Sequence, residues 1–511
     1  MSSRFTPELV GTSGHRLGIV DIGSNSIRLV VYDRLSRAPL PIVNRKAVIG
    51  LGTDVERSGR FSDSLFWQAV DAVDALVRTA HDVPVADLAL LATAGVRSAG
   101  NGDDFCRTVE AKTGSIVTVL SGDEEARLSA LGVVSAVPDV TGVIGDLGGG
   151  SLELVALRNG TIIGQSSLDI GPLRLIERTG GELGDATRVI DKALAKVDWL
   201  RDWIGLPFYA VGGAWRAVAR LHMAQQDYPL QVVHGYRMAR REARDFAGML
   251  EHLGSETIAR IRTVSAKRAE TLPWGAIALE RVLTVLKPNE LVFSAHGLRE
   301  GHHFRMLDRA IQLEDPLLSA CRELAGQHRR FSDPSGALEA WLMPLASQFV
   351  EVDTRLVRAA CILADIGWNE HPEYRAEQAL SRILRMPWSV LDHEQRALLA
   401  LTVFVRYGGS AGSGEAAGCR SLLDEDGIGE AKALGKALRL ALEICAGRGH
   451  VLDKTPLERS DDSLLLAIGP DAVIASFDRI ERYAASLGRA LDMPVNVEQR
   501  LATLAPKKAA S

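Results

Sequence analysis

The chain has 511 residues, 46% hydrophobic and 24% charged, which is typical of a globular protein and excludes a disordered or fibrous one. At roughly 100–200 residues per domain, this length predicts about three or four domains. The 59 basic and 64 acidic side chains give a net charge of −5, which argues against a general nucleic-acid-binding protein.

Cysteine usage and hydrophobic runs favour a cytoplasmic location. The five cysteines are scattered without CxxC spacing, which predicts buried thiols and no disulfide or zinc framework. The N-terminal stretch MSSRFTPELVGTSGHR lacks the apolar segment of a secretion signal, and no uncharged run approaches the ~18 residues of a membrane span. We therefore expect a cytoplasmic protein without integral membrane contact.

The first elements in chain order alternate between strands and helices. LGIVDIGSNSIRLVVYD (17–33) predicts a β-hairpin, and a helical stripe begins at Ser62. Short strands are predicted at 87–93 and 115–120, and SGDEEARLSALGV then begins another helix. This alternation indicates an α/β domain.

A second hairpin, GVIGDLGGGSLELVALRNG (142–160), repeats the first. Its residues match those of the first hairpin at a constant distance of 125 residues: Asp21 with Asp146, Gly23 with Gly148, and Ser26 with Ser151. The match predicts a duplicated α/β domain, with the joint near Val137. Beyond about residue 310 the pattern is helical, and a small strand–helix module ends the chain. The predicted domains are 1–136, 137–308, 309–450 and 451–511.

The two predicted turns have residues suited to binding phosphate. Turns of Gly, Ser and Asn let backbone N–H groups converge on an anion, and an Asp before each turn can hold Mg²⁺. Two such turns across a cleft would clasp a phosphoryl group from both sides. The alternative, a duplicated hairpin with tight turns and no ligand, does not explain why both turns carry Asp and Ser.

VDIGSNSIRL, ATAGVRSAGN, LSGDEEARL, GDLGGGSLEL, DIGPLRL, AVGGAWRAVA and SAHGLREG follow one another in this chain. In this order they resemble the exopolyphosphatase / guanosine pentaphosphate phosphatase family of the actin-like, sugar-kinase superfold. The resemblance covers most of residues 17–305 and, more loosely, the helical remainder of the family's long form. It implies an α/β fold with two actin-like (ribonuclease H-like) domains, an all-α HD-like domain and a small C-terminal α/β module.

The resemblance also implies two catalytic residues. Adjacent helical residues point about 100° apart, so Glu124 and Glu125 cannot both face a cleft. The residues alone leave the choice open, since either could simply complement the helix dipole. The family motif selects Glu125 as the base that activates water. Arg97 matches the family's phosphate-binding arginine, and the alternative is an exposed loop charge.

The family's metal-holding positions match Asp146 and Glu153, with Asp21 as their counterpart on the first hairpin, and the implied cofactor is Mg²⁺. The expected phosphate-binding residues are the loop donors Ser24, Asn25, Ser26, Gly148, Gly149 and Ser151. Gly212 and Gly213 form a strand-to-helix turn, for which a ligand role and a plain turn both stay open. A polyphosphate path could include Arg299, His302, Lys267 and Arg268, although such charges usually lie on solvated helix faces.

The helical region lacks the metal ligands of an HD-type phosphohydrolase. Gly336 and Ala364 stand where the family resemblance places the histidines, and only Asp365 remains. One carboxylate cannot build a metal site, so we expect this domain to be structural or to guide substrate.

The leading hypothesis is therefore a Mg²⁺-dependent exopolyphosphatase that releases terminal orthophosphate from inorganic polyphosphate. Hydrolysis of guanosine pentaphosphate, alone or in addition, is the alternative within the family, and no residue separates the two. An actin-like ATP-dependent phosphotransferase is less favoured, because a glutamate matches the family's water-activating base and the C-terminal half resembles the long exopolyphosphatases. A degenerate phosphate sensor is less favoured because Arg97, Glu125, Asp146 and Glu153 are retained together. The resemblance also suggests a homodimer.

Overall fold

The computed structural model describes residues 15–253, 257–258, 266–328, 330–348, 353–388, 390–469, 472 and 476–500. The side chains of 266–268 and 346–348 also lie outside this description. The chain divides into two compact units, with the break between Leu313 and Glu314 and with the segment Asp227–Val232 grouped with the second unit. The predicted division into four domains stays a prediction.

The first half of unit one is a five-stranded sheet with helices around it. Strand β1 runs antiparallel to β2 and parallel to β4, and β3 and β5 form the two edges. Its strands are β1 (Leu17–Ile22), β2 (Ile27–Tyr32), β3 (Pro41–Ala47), β4 (Asp87–Ala92) and β5 (Val117–Val119). Its helices are α1 (Leu51–Ser58), α2 (Asp63–Asp82), α3 (Ala94–Arg97), α4 (Gly102–Thr113) and α5 (Gly122–Ala136).

The second half repeats this arrangement and adds one edge strand. Strand β6 runs antiparallel to β7 and parallel to β9, and the sheet order is β10-β11-β9-β6-β7-β8. Its strands are β6 (Gly142–Leu147), β7 (Leu152–Arg158), β8 (Thr161–Leu168), β9 (Phe208–Gly212), β10 (Tyr236–Ala239) and β11 (Glu290–Phe293). The repeated order is what the predicted duplication requires, and the mixed α/β class is confirmed.

Helices cover the second sheet and complete unit one. They are α6 (Pro172–Arg178), α7 (Leu183–Leu194), α8 (Gly213–Gln225), α9 (Arg240–His252), α10 (Ala266–Leu286), α11 (Leu298–Met306) and α12 (Arg309–Gln312), with a 3₁₀ turn at Asp198–Trp203. Helices α5 and α11 cross at glycines. A Cβ on Gly301 would lie 1.7 Å from the carbonyl oxygen of Leu128, and one on Gly132 would lie 2.2 Å from that of Gly297. This crossing sets how closely the two helices approach.

The strands that lead to the two Asp-containing turns are buried almost throughout. In β1 the only residue that is not fully buried is Asp21, and in β6 it is Asp146. Because the flanking residues are apolar and packed, each aspartate sits on a rigid support at the end of a central strand. The two hairpins predicted from the sequence are confirmed by the pairing of β1 with β2 and of β6 with β7.

Unit two is helical between Pro316 and Cys445 and ends in a small sheet. Its helices are α13 (Pro316–Gln327), α14 (Ser335–Leu342), α15 (Thr354–Leu363), α16 (Arg375–Arg385), α17 (His393–Arg406), α18 (Ala417–Arg420), α19 (Glu425–Cys445) and α20 (Phe477–Leu491), with 3₁₀ turns at Met343–Gln348 and Gly449–Lys454. Strands β12 (Leu457–Arg459), β13 (Leu464–Ile468) and β14 (Val495–Gln499) form a sheet in the order β12-β13-β14. The HD-like assignment of this unit stays a prediction.

Asp365 is the one residue left at the positions where the resemblance places the metal ligands of an HD-type domain, and two arginines bind its carboxylate. Arg330 donates to both oxygens of Asp365, at 2.8 and 3.2 Å, and Arg406 donates to Oδ1 at 3.2 Å. With both oxygens engaged by guanidinium groups, Asp365 serves here as an ion-pair partner. Within the part of the chain that is described, no helix is long and apolar enough to span a membrane.

Candidate active site

The turns after β1 and β6 are closed by the same hydrogen bond. In the first turn the Gly23 amide donates to the carbonyl oxygen of Ser26 at 3.1 Å. In the second turn the Gly148 amide donates to the carbonyl oxygen of Ser151 at 2.9 Å. The duplicated sequence therefore folds into two turns of the same local geometry.

The two turns face each other across a cleft of about 210 Å³. A Cβ on Gly149 would lie 3.0 Å from Cβ of Ser24, so glycine lets the second turn approach the first to van der Waals distance. No hydrogen bond among the described residues uses the backbone amides of Asn25, Gly149 or Gly150. These amides can therefore donate to an anion bound between the turns.

The residues predicted to bind phosphate come together in this cleft. All eight line it: Ser24, Asn25, Ser26, Gly148, Gly149, Ser151, Gly212 and Gly213. Gly212 has φ 105°, and a Cβ there would lie 2.4 Å from the carbonyl oxygen of Leu147, so a glycine is required. The Gly-Gly pair thus borders the cleft, and its ligand role stays a prediction.

The neighbouring glutamates of α5 have different surroundings. Glu124 closes a capping box at the start of the helix: the Ser121 amide donates to its Oε2 at 2.9 Å, and its own amide donates to Ser121 Oγ at 3.2 Å. Glu125 is 8% exposed and lines the cleft. Of the two, the structure places Glu125 beside the two Gly-Ser turns.

Glu125 titrates near neutrality. Burial raises its pKa to about 7, and the charge of Asp146 adds to this, while that of Arg97 opposes it. Arg97 Nη1 lies 3.2 Å from Oε2 of Glu125 and also donates to the carbonyl oxygen of Leu120 at 2.5 Å. Arg97 is not among the residues that line the cleft. It contacts Glu125 directly, and its expected contact with phosphate stays a prediction.

Asp146 and Glu153 are directly paired across β6 and β7, so their side chains lie on the same face of the sheet. Asp146 lines the cleft, whereas Glu153 is 1% exposed and lies behind it. Burial raises the pKa of both carboxyl groups, and the charge of Glu125 adds to the effect on Glu153. Serine hydroxyls hold both acids: Ser129 donates to Asp146, and Ser167 donates to Glu153 at 2.9 Å.

The first hairpin carries a basic residue, Arg28, where the second hairpin carries the acidic Glu153. Asp21 lines the cleft and is paired across the hairpin with Arg28, the residue 125 positions before Glu153. Arg299 lies 3.8 Å from Oδ2 of Asp21. Burial raises the pKa of Asp21, the charge of Arg299 opposes this, and the charge of Asp146 adds to it. The two aspartates therefore influence each other across the cleft.

Several cleft residues were missed by the sequence reasoning. The omitted residues with polar or charged side chains are Arg28, Lys46, Thr93, Arg216 and Thr271. The repeat itself could have identified Arg28, because the match with Glu153 places it on the same face as Asp21. The others come from β3, α8, α10 and the end of β4, which only the tertiary fold brings to the cleft.

Of the residues predicted for a polyphosphate path, Arg299 lines the cleft and His302 does not. His302 is buried one helical turn farther along α11 and accepts a hydrogen bond from Arg305 at 2.9 Å. The side chains of Lys267 and Arg268 lie outside the described residues.

A Mg²⁺ ion would find two carboxylates at this cleft, one from each hairpin. Asp21 and Asp146 both line it, both are partly buried, and neither has an ion pair shorter than 3.8 Å among the described residues. No group of three or more His, Cys, Asp or Glu suited to a metal occurs in the described part of the chain. This donor set fits Mg²⁺, which is commonly held by one or two carboxylates together with substrate phosphates.

The duplicated α/β fold brings two Gly-Ser turns and the buried Glu125 to one cleft, an arrangement suited to phosphate chemistry. A family model described as the Ppx/GppA phosphatase family matches residues 30–310, and a model for the exopolyphosphatase C-terminal region matches residues 340–491. The chain belongs to the Ppx/GppA phosphatase family. The recognition made from the sequence motifs is thereby confirmed.

Individual relatives are distant in sequence. Retrograde regulation protein 2 of Saccharomyces cerevisiae is 27% identical over 439 residues, which cover 77% of this chain and 73% of that protein. Exopolyphosphatase 1 of Mycobacterium leprae is 28% identical over 335 residues, 61% of this chain and 95% of that one. A solved exopolyphosphatase from Cytophaga hutchinsonii has a TM-score of 0.54 at 23% identity, covering 57% of this chain and 98% of that one, which shows the shared fold.

Proposed function

We propose that this chain is a Mg²⁺-dependent exopolyphosphatase that releases terminal orthophosphate by attack of a water molecule activated by Glu125. The observation that carries the proposal is the placement of Glu125, buried at a cleft between two Gly-Ser turns, with its pKa raised to about 7. A general base is most effective when its pKa lies near the working pH.

Glu125 has one oxygen available for proton transfer. Oε2 faces Arg97 at 3.2 Å, and no hydrogen bond among the described residues engages Oε1. In the proposed reaction, Oε1 accepts the proton of water as the water oxygen attacks the terminal phosphorus. The bond from that phosphorus to the bridging oxygen breaks, and the shortened chain leaves with the bridging oxygen.

The two turns would orient the terminal phosphoryl group. The amides of Asn25, Gly149 and Gly150 point to no internal acceptor in the described chain, so they are available for phosphate oxygens. Fixed donors of this kind cost little reorganisation when charge moves in the transition state. Arg28, Lys46, Arg216 and Arg299 line the same cleft and would offset the charge of the following phosphates.

Asp21 and Asp146 would hold the Mg²⁺ ion. When bound, the ion neutralises charge on the phosphate oxygens. Burial raises the pKa of both aspartates, and the charge of Asp146 adds to the effect on Asp21. A cation bound between them would offset this cost.

Polyphosphate is favoured because relatives and a solved structure with this fold are named as exopolyphosphatases. The test is orthophosphate release from long polyphosphate, tripolyphosphate, ATP and guanosine pentaphosphate, measured side by side with Mg²⁺. We expect long polyphosphate to give the highest kcat/KM. A higher kcat/KM for guanosine pentaphosphate would replace the proposed substrate, and transfer of phosphate to an acceptor without hydrolysis would refute the reaction class.

The proposal includes a homodimer, as the family resemblance suggests. Light scattering coupled to size-exclusion chromatography tests it, and a mass equal to one chain would contradict it.

A further inference from the structure

Ser129 and Glu125 lie on the same face of α5. They are four residues apart, which places them one helical turn from each other. Ser129 is 1% exposed, and its hydroxyl donates to Oδ2 of Asp146 on β6. The hydroxyl therefore joins the helix that carries the proposed base to the strand that carries the proposed metal ligand.

This hydrogen bond is the main support of the Asp146 carboxylate. No other hydrogen bond and no ion pair within 4 Å engages Asp146 in the described part of the chain. Asp146 is partly buried, and a carboxylate withdrawn from water without a donor is disfavoured, so the buried Ser129 hydroxyl matters more than an exposed one would. Oδ2 is held by the serine, and no hydrogen bond among the described residues engages Oδ1.

Ser135, another buried serine of α5, is a useful comparison because its hydroxyl makes a local hydrogen bond within the helix. Ser135 is also buried on α5, but it donates to the carbonyl oxygen of Gly132 at 2.7 Å and meets His296 at 3.0 Å. That local bond is typical of a helical serine. Ser129 instead directs its proton to an acid on another element.

A second hydroxyl supports the same helix–sheet contact. Ser167 of β8 donates to Oε1 of Glu153 at 2.9 Å, and a Cβ on Gly122 would lie 2.7 Å from Cβ of Ser167. The first turn of α5 thus rests on the serine that holds one acid, while its second turn supplies the serine that holds the other. Glu125 lies between these two attachments.

From this geometry we propose that Ser129 is a positioning residue, which orients Asp146 for the divalent cation and fixes its distance from Glu125. The proposal rests on the proposed function, because it takes Asp146 as a ligand of that cation. Removing a residue that orients a metal ligand typically costs roughly 10–100-fold in metal affinity or activity.

The test uses full-length Ser129→Ala, Ser129→Thr and the matched control Ser135→Ala. Mn²⁺ is titrated into each protein without substrate and followed by the electron paramagnetic resonance signal of free Mn²⁺. Orthophosphate release from long polyphosphate then gives kcat and KM. Ser129→Ala should raise the Mn²⁺ dissociation constant roughly 10–100-fold and lower kcat with little change in KM. Ser129→Thr should restore both values, and Ser135→Ala should match the wild type.

A Ser129→Ala protein that melts cooperatively and keeps the wild-type dissociation constant and kcat would overturn the proposal. Failure of a Ser129→Thr protein that melts like the wild type to restore them would show that a hydroxyl at this position is not sufficient, and would also overturn the proposal. If wild-type protein binds no Mn²⁺, the metal assignment of the proposed function fails. The kcat ratio of Ser129→Ala to Ser135→Ala then decides alone, and a ratio of one overturns the positioning role.

Discussion

Replacing Arg97 with methionine should move the pH dependence of catalysis. Arg97 Nη1 lies 3.2 Å from Glu125 Oε2 and opposes the effect of burial on a pKa that stands at about 7. An opposite charge at such a distance typically lowers a carboxyl pKa by about 1–3, so its loss should bring that of Glu125 to about 8–10. The base must be ionised to act, so activity should rise only above this higher pH.

The size of the effect follows from the ionised fraction. With a pKa of about 7, half of the Glu125 carboxyl groups are ionised at pH 7. A pKa of about 8–10 leaves between about one in ten and one in a thousand ionised, which predicts a loss of roughly 5- to 500-fold at pH 7. That part of the loss should be recovered as the pH rises through the new value. If Arg97 also binds phosphate, a further loss should persist at every pH.

The assay is kcat/KM for orthophosphate release from polyphosphate between pH 5 and 10, because this ratio reports the free enzyme's ionisations. The acid limb of this profile is the range in which kcat/KM rises with pH. Arg97→Lys keeps the positive charge and should shift the acid limb less than Arg97→Met does. Arg107→Met, which removes an exposed arginine paired with Asp104, should leave the profile unchanged. An acid limb that stays at the wild-type pH in Arg97→Met would refute the electrostatic reasoning.

Three further outcomes are expected. Glu125→Gln should lower kcat roughly 10²–10⁴-fold while Glu124→Gln keeps it, and equal losses in the orthophosphate assay would contradict the assignment. Glu153→Gln should raise the melting temperature of the metal-free protein at pH 8 and not at pH 4. A raised folded pKa makes stability fall as pH rises above the unfolded value near 4.5, and calorimetry that shows no gain at pH 8 would count against this. Gly301→Ala should destabilise the fold by about 1–3 kcal/mol or more, because its Cβ meets a backbone oxygen of α5, whereas Gly326→Ala, with open space around it, should not.

The parts of the site that lie within one hairpin were predictable from the sequence. Gly, Ser and Asn at a turn between two apolar runs specify a hairpin through local conformational preference alone. Both turns formed as expected, and all eight predicted phosphate-binding residues line one cleft. Periodicity also showed that Glu124 and Glu125 must point apart, but only the motif and then the packing of α5 gave the direction of each.

The remaining cleft residues depend on how distant elements pack. Arg216 belongs to the first turns of α8, and nothing in its neighbours' sequence distinguishes a cleft arginine from a solvated one. His302 was expected on the path because it adjoins the GLREG segment of the family motif, to which Arg299 belongs. One turn of helix advances about 5.4 Å along the axis, and that advance takes His302 from the cleft edge into the protein. How deeply a helical side chain lies in the protein is set by tertiary packing and cannot be predicted from periodicity.

The two hairpins keep one backbone geometry and differ in charge along a single row of side chains. In the first half the row across β1, β2 and β3 is Asp21, Arg28 and Lys46. In the second half the row across β6, β7 and β8 is Asp146, Glu153 and Ser167. Neighbouring strands present such a row on one face of the sheet.

Under the proposed function, this difference in charge would separate two tasks, binding a polyanionic substrate and binding Mg²⁺, which would compete within a single hairpin. In the proposed reaction, cations beside Asp21 would favour a polyanionic substrate, whereas more of them around Asp146 would weaken the attraction of that carboxylate for the proposed Mg²⁺. The second row instead gathers acids and supports them with hydroxyl donors, which carry no net charge and leave that attraction intact. Under the proposed function, duplication would allow each half to take one task, and the cleft between the halves is where the proposed reaction needs both.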